Sequence, residues 1–426
     1  MKTDQARRRL LAGLGATLGL AAAGLPLGGS ASRARVVVVG GGFGGAAAAR
    51  ALRQFAPDLE VVLVEPSAVF RTCPFSNLYL GGLRSFGSLG HHYGYLQRRH
   101  GVRVVRSSAR AVDPERRQVR LVDGTRLGYD RLILSPGIDM RWDALEGYDQ
   151  TAAERLPHAW KAGPQTRLLR RQLQAMDDDG LFLMVIPDNP YRCPPGPYER
   201  AAMVAHYCRR HKPRAKVLLL DAKDAFSKQA LFEQGWREVY GERIEWVGFS
   251  GDGEVVRVDA NQRIVETAFG NRHQADVINV IPPQQAGYIA RQAGVTDRSG
   301  WAPVKAGTFE SRLVPDVYVI GDAAVAAPMP KSAFCAHSQA GVTAAAVLAS
   351  LAGREPPEPA WLNTCFSLID SDYAISISGQ YRLRDGEIQE VSGGVSPLQA
   401  SQEFRRREAE HARDWYAAMS HAIWGA

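Results

Sequence analysis

Five cysteines, Cys73, Cys193, Cys208, Cys335 and Cys365, are scattered along the 426 residues. None forms the C-x-x-C pair of a metal site, and none stands in the C-x-x-C-H of haem attachment. What remains is thiol and disulfide chemistry, which persists in an oxidising compartment. Cys73 lies in Phe70-Arg71-Thr72-Cys73-Pro74-Phe75-Ser76-Asn77, a loop or helix start. It follows a glycine-rich unit closely enough to approach the ring end of a long cofactor. The plainer alternative is a small buried thiol. Cys208, on a helical pattern with His206, reads as buried and inert.

The glycine-rich unit is Val36 to Gly45, VVVVGGGFGG. Four β-branched residues run into Gly40-x-Gly42-x-x-Gly45, and an Ala-rich helical pattern follows. Gly40 permits the tight turn, Gly42 lets the backbone approach a pyrophosphate, and Gly45 lets helix and strand pack closely. N–H groups at the helix start then face the phosphates. A second apolar strand, Val61 to Val64, ends in Glu65, whose carboxylate can accept ribose hydroxyls. Strand, glycines, helix, strand and acid arrive in order, so dinucleotide binding is expected.

Further elements must complete this unit. Val102 to Arg106 and Gln118 to Val122 read as strands, with Asp123-Gly124 as a hairpin turn. Tyr129 to Leu134 is an apolar strand entering Ser135-Pro136-Gly137. Pro164 to Met176 reads as a helix with proline at its start. Leu181 to Ile186, and Val217 to Leu220 ending in Asp221, are the strands of a second βαβ unit. Between them stands Pro187-Asp188-Asn189-Pro190-Tyr191-Arg192-Cys193-Pro194-Pro195-Gly196, where a nicotinamide-binding unit would carry a second glycine motif. Proline lacks the N–H that a phosphate needs, which counts against NAD(P)H.

Ala275 to Ile281 is a strand, and Val314 to Asp322 reads as strand, turn and acid. Asp322, after Gly321, can hold the ribityl and phosphate region of a flavin dinucleotide. Lys331 is a candidate for the flavin's pyrimidine end, set against a plain solvated lysine. The following helix is expected over 338–351. Residues 355–426 form a C-terminal segment, with strands over 361–369 and 373–381 and a helix over 403–423. Trp415, Tyr416, Met419 and Ile423 share one face of that helix, a stripe suited to core or subunit packing rather than to a membrane.

The net charge is +8, of which Lys2, Arg7, Arg8 and Arg9 against Asp4 supply +3. Basic residues elsewhere are dispersed, which argues against nucleic-acid binding and leaves a docking face for a partner open. Arg7-Arg8-Arg9-Leu10-Leu11, an apolar run to Leu27 and small residues at Gly29-Ser30-Ala31 read as a twin-arginine export signal. A retained anchor is the alternative. The expected location is periplasmic.

Three segments carry a specific resemblance: Thr72-Cys73-Pro74-Phe75-Ser76-Asn77, Tyr191-Arg192-Cys193-Pro194-Pro195-Gly196-Pro197-Tyr198-Glu199-Arg200 and Leu362-Asn363-Thr364-Cys365-Phe366-Ser367. With them, the chain from about Arg35 resembles the flavoprotein (FAD) subunit of flavocytochrome c sulfide dehydrogenase. The resemblance implies FAD linked covalently through Cys73, although Pro74 stands where relatives often carry an aromatic residue. It implies a redox-active Cys193–Cys365 disulfide. Glu199 matches a carboxylate near that disulfide and is the candidate general base or proton shuttle; the alternative is a surface Glu199 paired with Arg200. Hydrosulfide is a strong nucleophile toward a disulfide sulfur. Cys335 has no counterpart in the resemblance and leaves a competing Cys193–Cys335 pairing open. A c-type cytochrome subunit or soluble cytochrome c is the implied acceptor, with the C-terminal segment part of its docking face.

The expected architecture is α/β, with two Rossmann-like dinucleotide-binding domains of the flavoprotein disulfide-reductase type and a C-terminal α+β segment. The divisions are a leader (1–31), a first FAD-binding part (32–154) and a second Rossmann-like domain (155–274). A second FAD-binding part (275–352) and an interface segment (353–426) complete the chain. The expected cofactor set is Gly40, Gly42, Gly45, Glu65, Cys73, Gly137, Gly321, Asp322 and Lys331. Three other readings stay open: a sulfide:quinone oxidoreductase, a NADH dehydrogenase, disfavoured by the Pro-rich loop, and a non-catalytic accessory flavoprotein.

Overall fold

The computed structural model describes residues 34–425, so the expected export leader lies outside the described residues. Arg35–Val39 is a central strand, and Val36, Val37 and Val38 have no exposed surface. Each such side chain gains about 1.5–3 kcal/mol on leaving water, and two-sided burial explains the unbroken valine run. The strand pairs in parallel with Glu60–Val64 on one side and Arg131–Leu134 on the other. Arg103–Val105 and Val317–Val319 complete a five-stranded parallel sheet.

A second parallel sheet runs Ile244–Val247, Lys216–Asp221, Leu181–Ile186, Val277–Val280. Its last strand pairs Phe182 with Val277 and Val185 with Val280. Residues 277–280 therefore belong to the second sheet, and the chain returns to the first only beyond the boundary expected at 274. The cause is local: an apolar strand carries no mark of which sheet it joins. Each sheet has a three-stranded antiparallel companion. These are Ala109–Asp113, Gln118–Leu121 and Arg126–Gly128 for the first, and Val255–Asp259, Ile264–Thr267 and Arg272–Gln274 for the second.

The C-terminal segment is an antiparallel sheet of Ala360–Asp370, Tyr373–Arg384 and Glu387–Val395, followed by the helix Gln402–Trp424. The third strand was not expected. Its sequence, EIQEVSGGV, is mostly exposed and alternates poorly, so its pairing rests on the hairpin before it. Trp415, Tyr416, Met419 and Ile423 are buried, and the stripe is core packing. Trp424 stacks on Phe70 and His91 and meets Phe43 edge-on, which fastens the chain's end to the first domain.

The long apolar helix starts at Ala333, five residues before the expected start at 338. Ser332 caps it by accepting the Cys335 N–H at 3.0 Å, which satisfies one of the donors left free at a helix start. This helix, Ala333–Leu351, is apolar and long enough to span a membrane by composition. It packs instead on the helix Phe43–Phe55 beside the first sheet.

Candidate active site

The glycine turn has the geometry that its sequence demands. Gly40 has φ +100°, and a Cβ on it would lie 2.3 Å from the Ser135 carbonyl oxygen. A Cβ on Gly45 would lie 1.9 Å from the Gly40 carbonyl oxygen. Neither position tolerates a side chain. Glu65 closes the turn: one carboxylate oxygen accepts the Gly41 N–H at 2.9 Å and the other accepts the Ser67 N–H at 2.8 Å. Each oxygen retains a further lone pair for a ribose hydroxyl.

Ser135 leads into Gly137, which takes φ +68°. The Ser135 hydroxyl also lies close to Gly44 and Gly321, so the loops after three adjacent strands meet at one place. That is the carboxyl edge of an open parallel sheet, where such folds bind ligands. Gly321 donates its N–H to Gln339 at 2.8 Å. The neighbouring Asp322 buries its Oδ1 with no hydrogen-bond partner, and burial raises its pKa. An orphaned carboxylate oxygen costs free energy unless a ligand donates to it. The crowded glycines and this free acceptor fit FAD.

Lys331 is not a solvated lysine. Its ammonium donates to the carbonyls of Asp322 at 2.7 Å and Ala324 at 3.0 Å and lies 3.7 Å from the centre of the Trp301 ring. Burial lowers its pKa to about 8. Lys331 therefore braces the Asp322 loop.

Asn77 joins the Cys73 segment to the Cys193 segment, and Glu199 joins these to the strand of Cys365. Asn77 donates to the Gly196 carbonyl at 3.3 Å and to Glu199 Oε2 at 2.8 Å, and its own oxygen accepts from Arg200 Nε at 3.1 Å. Glu199 Oε1 accepts the Leu368 N–H at 3.0 Å, which reaches the strand of Cys365. Glu199 is thus not a surface carboxylate paired with Arg200. Consecutive helical residues point in different directions, and Arg200 turns to the carbonyls of His158 and Ala159 and to Asn279 Oδ1. Burial raises the Glu199 pKa against the hydrogen bonds of Leu368 and Asn77 and the charges of Lys228 and Arg200. A carboxyl group tuned upward in this way holds a proton more readily than an exposed one, which suits proton transfer.

Cys193 sits in the left-handed region at φ +59°, with its N–H donated to the Lys331 carbonyl at 2.8 Å. Gly196 leaves room for it, since a Cβ there would lie 3.0 Å from Cys193 Sγ and 2.8 Å from the Trp160 ring. Cys73 places its sulfur 3.5 Å from the carbonyl oxygen of that same Trp160. All five cysteines are free thiols in the structure. Burial raises the Cys193 pKa most, and Cys365 is the neighbour that adds most to the rise. Burial also raises Cys365, which Lys228 opposes and Glu199 reinforces. Cys335 is fully buried, with its thiol pushed up to about 12; it too feels Cys365. Cys208 is buried within the helix Gly196–His211, as expected.

The far end of the Cys365 strand is pinned separately. Burial disfavours the charge on Asp370, but hydrogen bonds from His206, the Ser371 N–H and Arg209 outweigh it, and its pKa falls to about 2.

Asn77, Lys228 and Tyr416 went unassigned in the sequence reading. Asn77 stands in the segment Thr72-Cys73-Pro74-Phe75-Ser76-Asn77. Tyr416 was visible only as part of a packing stripe, yet its hydroxyl lies 2.7 Å from Thr72 Oγ1 and its ring stacks on Phe75, beside Cys73. Lys228, in Ser227-Lys228-Gln229, carries no local signal at all.

In the second sheet, the strand-end acid is already spent. Asp221 is fully buried and accepts from Tyr198 Oη at 2.6 Å, Trp246 Nε1 at 2.9 Å and Lys223. Tyr198 stacks on Phe226 at 3.6 Å. Among the described residues no cluster of His, Cys, Asp and Glu is arranged to hold a metal ion.

Residues 34–167 match the pyridine nucleotide-disulphide oxidoreductase family. Residues 166–282 match the central part of the sulfide dehydrogenase [flavocytochrome c] flavoprotein chain, and residues 357–424 match the flavocytochrome c sulphide dehydrogenase flavin-binding family. The chain is 65% identical over 43 residues to the sulfide dehydrogenase [flavocytochrome c] flavoprotein chain of Chlorobaculum thiosulfatiphilum, covering 10% of this chain and 90% of that sequence. It is 24% identical over 314 residues to the mitochondrial sulfide:quinone oxidoreductase of Dictyostelium discoideum, covering 72% and 68%. The sulfide:quinone oxidoreductase structure from Aquifex aeolicus superposes with a TM-score of 0.72 at 17% identity, over 91% of this chain and 92% of that one. A putidaredoxin reductase–putidaredoxin complex gives 0.64 at 18% identity, over 93% and 99%. The two structural likenesses establish the flavoprotein disulfide-reductase fold, and the matches over 166–282 and 357–424 with the Chlorobaculum sequence are specific: the chain belongs to the family of flavocytochrome c sulfide dehydrogenase flavoprotein chains.

Proposed function

We propose that sulfide delivers its electrons to this chain at Cys193 and Cys365, and that they leave through FAD to a c-type cytochrome. As a member of its family the chain is an FAD-dependent oxidoreductase acting on sulfide. The observation that carries the proposed route is the convergence of two distant cysteines on one buried carboxylate, with Glu199 bonded to the strand of Cys365 and Cys193 six residues before it, in the turn that leads into its helix.

The chain's own residues divide the work. Cys193 and Cys365 form the disulfide, hydrosulfide attacks one sulfur, and the other departs as a thiolate. Glu199 takes or returns the accompanying proton. Bound FAD accepts two electrons and can release them singly. Gly40, Gly42, Gly45, Glu65 and Asp322 hold the dinucleotide, Gly137 and Gly321 shape its loops, and Lys331 braces Asp322. Cys73 is the proposed covalent anchor, held between Trp160 and the Thr72–Tyr416 contact.

The 426 residues contain no C-x-x-C-H, so the proposed haem sits on a partner chain or a soluble cytochrome c. The edge strand Glu387–Val395 supports the C-terminal segment as a docking face, since Val391 and Val395 on it and Leu398 just after it stand exposed. Tat-dependent export to the periplasm is proposed from Arg7, Arg8 and the apolar run after them. NADH is not the proposed reductant: a proline-rich loop replaces the phosphate cradle, and Asp221 is saturated.

The test is an anaerobic titration of the mature holoprotein. Sulfide is expected to bleach the flavin absorbance and NADH to leave it, with the electrons then appearing on added cytochrome c. Flavin left oxidised by sulfide would overturn the proposal.

A further inference from the structure

We propose that Lys228 is the positioning cation for the thiolate that Cys365 becomes when the Cys193–Cys365 bond opens, an inference that rests on the redox role proposed for that pair.

Lys228 is 9% exposed, although an ammonium ion is costly to bury without an anion beside it. Its Nζ donates to Ser367 Oγ at 2.8 Å. Ser367 lies two residues beyond Cys365 on the strand Ala360–Asp370, so the two side chains share one face of the sheet. The lysine backbone is held at φ +63°, at the start of the helix Gln229–Tyr240. A β-carbon in that region is strained, which the surrounding packing must offset. Cys193 and Phe75, at φ +59° and φ +68°, are under the same constraint beside the same site.

The charges around the ammonium are Cys365, Glu199, Cys193 and Glu408, in decreasing order of influence, all opposing the effect of burial. The Ser367 hydroxyl is neutral. Glu199 already shares its two oxygens with Asn77 and Leu368. Glu408 is held by Ser376, Ser396 and Arg405, and Cys365, on the Ser367 face and first in influence among these neighbours, is the sulfur whose ionisation the ammonium is placed to favour.

The step balances without another reagent. Hydrosulfide forms a bond to Cys193 Sγ, the Cys193–Cys365 bond breaks, and its electron pair leaves on Cys365. The products are a Cys193 persulfide and a Cys365 thiolate, and the unit of negative charge brought by hydrosulfide now rests beside Lys228. Cys365 is thereby the better leaving sulfur and Cys193 the one attacked.

The experiment is anaerobic alkylation of the dithiothreitol-reduced holoprotein by iodoacetamide across pH 6–10, with peptide mass mapping of each cysteine. K228Q is expected to move the Cys365 labelling midpoint up by about one pH unit or more, a tenfold loss of thiolate at fixed pH below it. K228R, which keeps the charge, is expected to stay within about threefold of wild type. S367A keeps the lysine and cuts its anchor; its midpoint is expected to rise by about half a unit. An unmoved midpoint in K228Q, or in S367A if K228Q does not fold, overturns the inference. Failure of the underlying disulfide is a separate result: wild-type Cys193 and Cys365 would then label equally before and after reduction.

Discussion

Glu199 accepts the backbone N–H of Leu368 at 3.0 Å, tying the helix that follows Cys193 to the strand that carries Cys365. A single carboxylate oxygen thus fixes two cysteine-bearing segments relative to each other, while its twin is fixed by Asn77. Positioning and the proposed proton transfer fall on one side chain, and the two can be separated.

E199Q preserves size and an acceptor for Leu368 but cannot ionise. Sulfide-driven flavin bleaching in this variant is expected to slow by about 10²–10⁴-fold at pH 7, the range for removal of a general acid or base. Stopped-flow absorbance measures it.

The same substitution has a stability signature. The folded-state pKa of Glu199 is raised above its ordinary value of 4.5, so the folded chain holds this proton more tightly than the unfolded one. That contribution is present in full below the ordinary value and is lost as pH rises through the raised one. E199Q lacks the loss. Melting curves between pH 5 and 8 are expected to show wild type falling relative to E199Q as pH rises.

Cys335 separates the two possible pairings. It is fully buried, whereas Cys365 adds more than any other neighbour to the raised pKa of Cys193. C335S is expected to keep sulfide-driven flavin reduction within about threefold of wild type, and C193S or C365S to abolish it. Equal loss in C335S and C365S would reassign the pair.

Y416F removes the hydroxyl contacts to Thr72 at 2.7 Å and His91 at 3.1 Å. The expected cost is about 1 kcal/mol of stability. If Cys73 is the covalent anchor, the fraction of flavin that stays with the polypeptide after acid precipitation should also fall.

Gly45 has no room for a methyl group, because a Cβ would lie 1.9 Å from the Gly40 carbonyl oxygen. G45A is expected to yield protein without flavin, seen as an absorbance ratio near that of apoprotein.

Much of this was legible along the chain. Gly40, Gly42, Gly45 and Glu65 are read from spacing because local covalent geometry alone dictates them. Leu181–Ile186 and Lys216–Asp221 were visible as apolar runs of strand length. The missing information is non-local. Lys331 reads as solvated because a lysine among prolines has no nearby acceptor, yet Trp301, Asp322 and Ala324 are folded against it. Glu199 beside Arg200 suggests an ion pair on paper, and helical geometry forbids it. The proposed pairing of Cys193 with Cys365 cannot be read from either neighbourhood; only the family resemblance points to it. Lys228 was invisible to both.

The Thr72–Tyr416 contact also orders events in time. The loop bearing Cys73 is made early in synthesis, but its clamp comes from the last helix, Gln402–Trp424. That helix must be made and docked before the loop can set. Truncated chains, even those holding every cofactor-binding residue, would remain unfinished at Cys73. The contact thus couples the order of the Cys73 loop to the docking of a helix that lies 344 residues away in sequence.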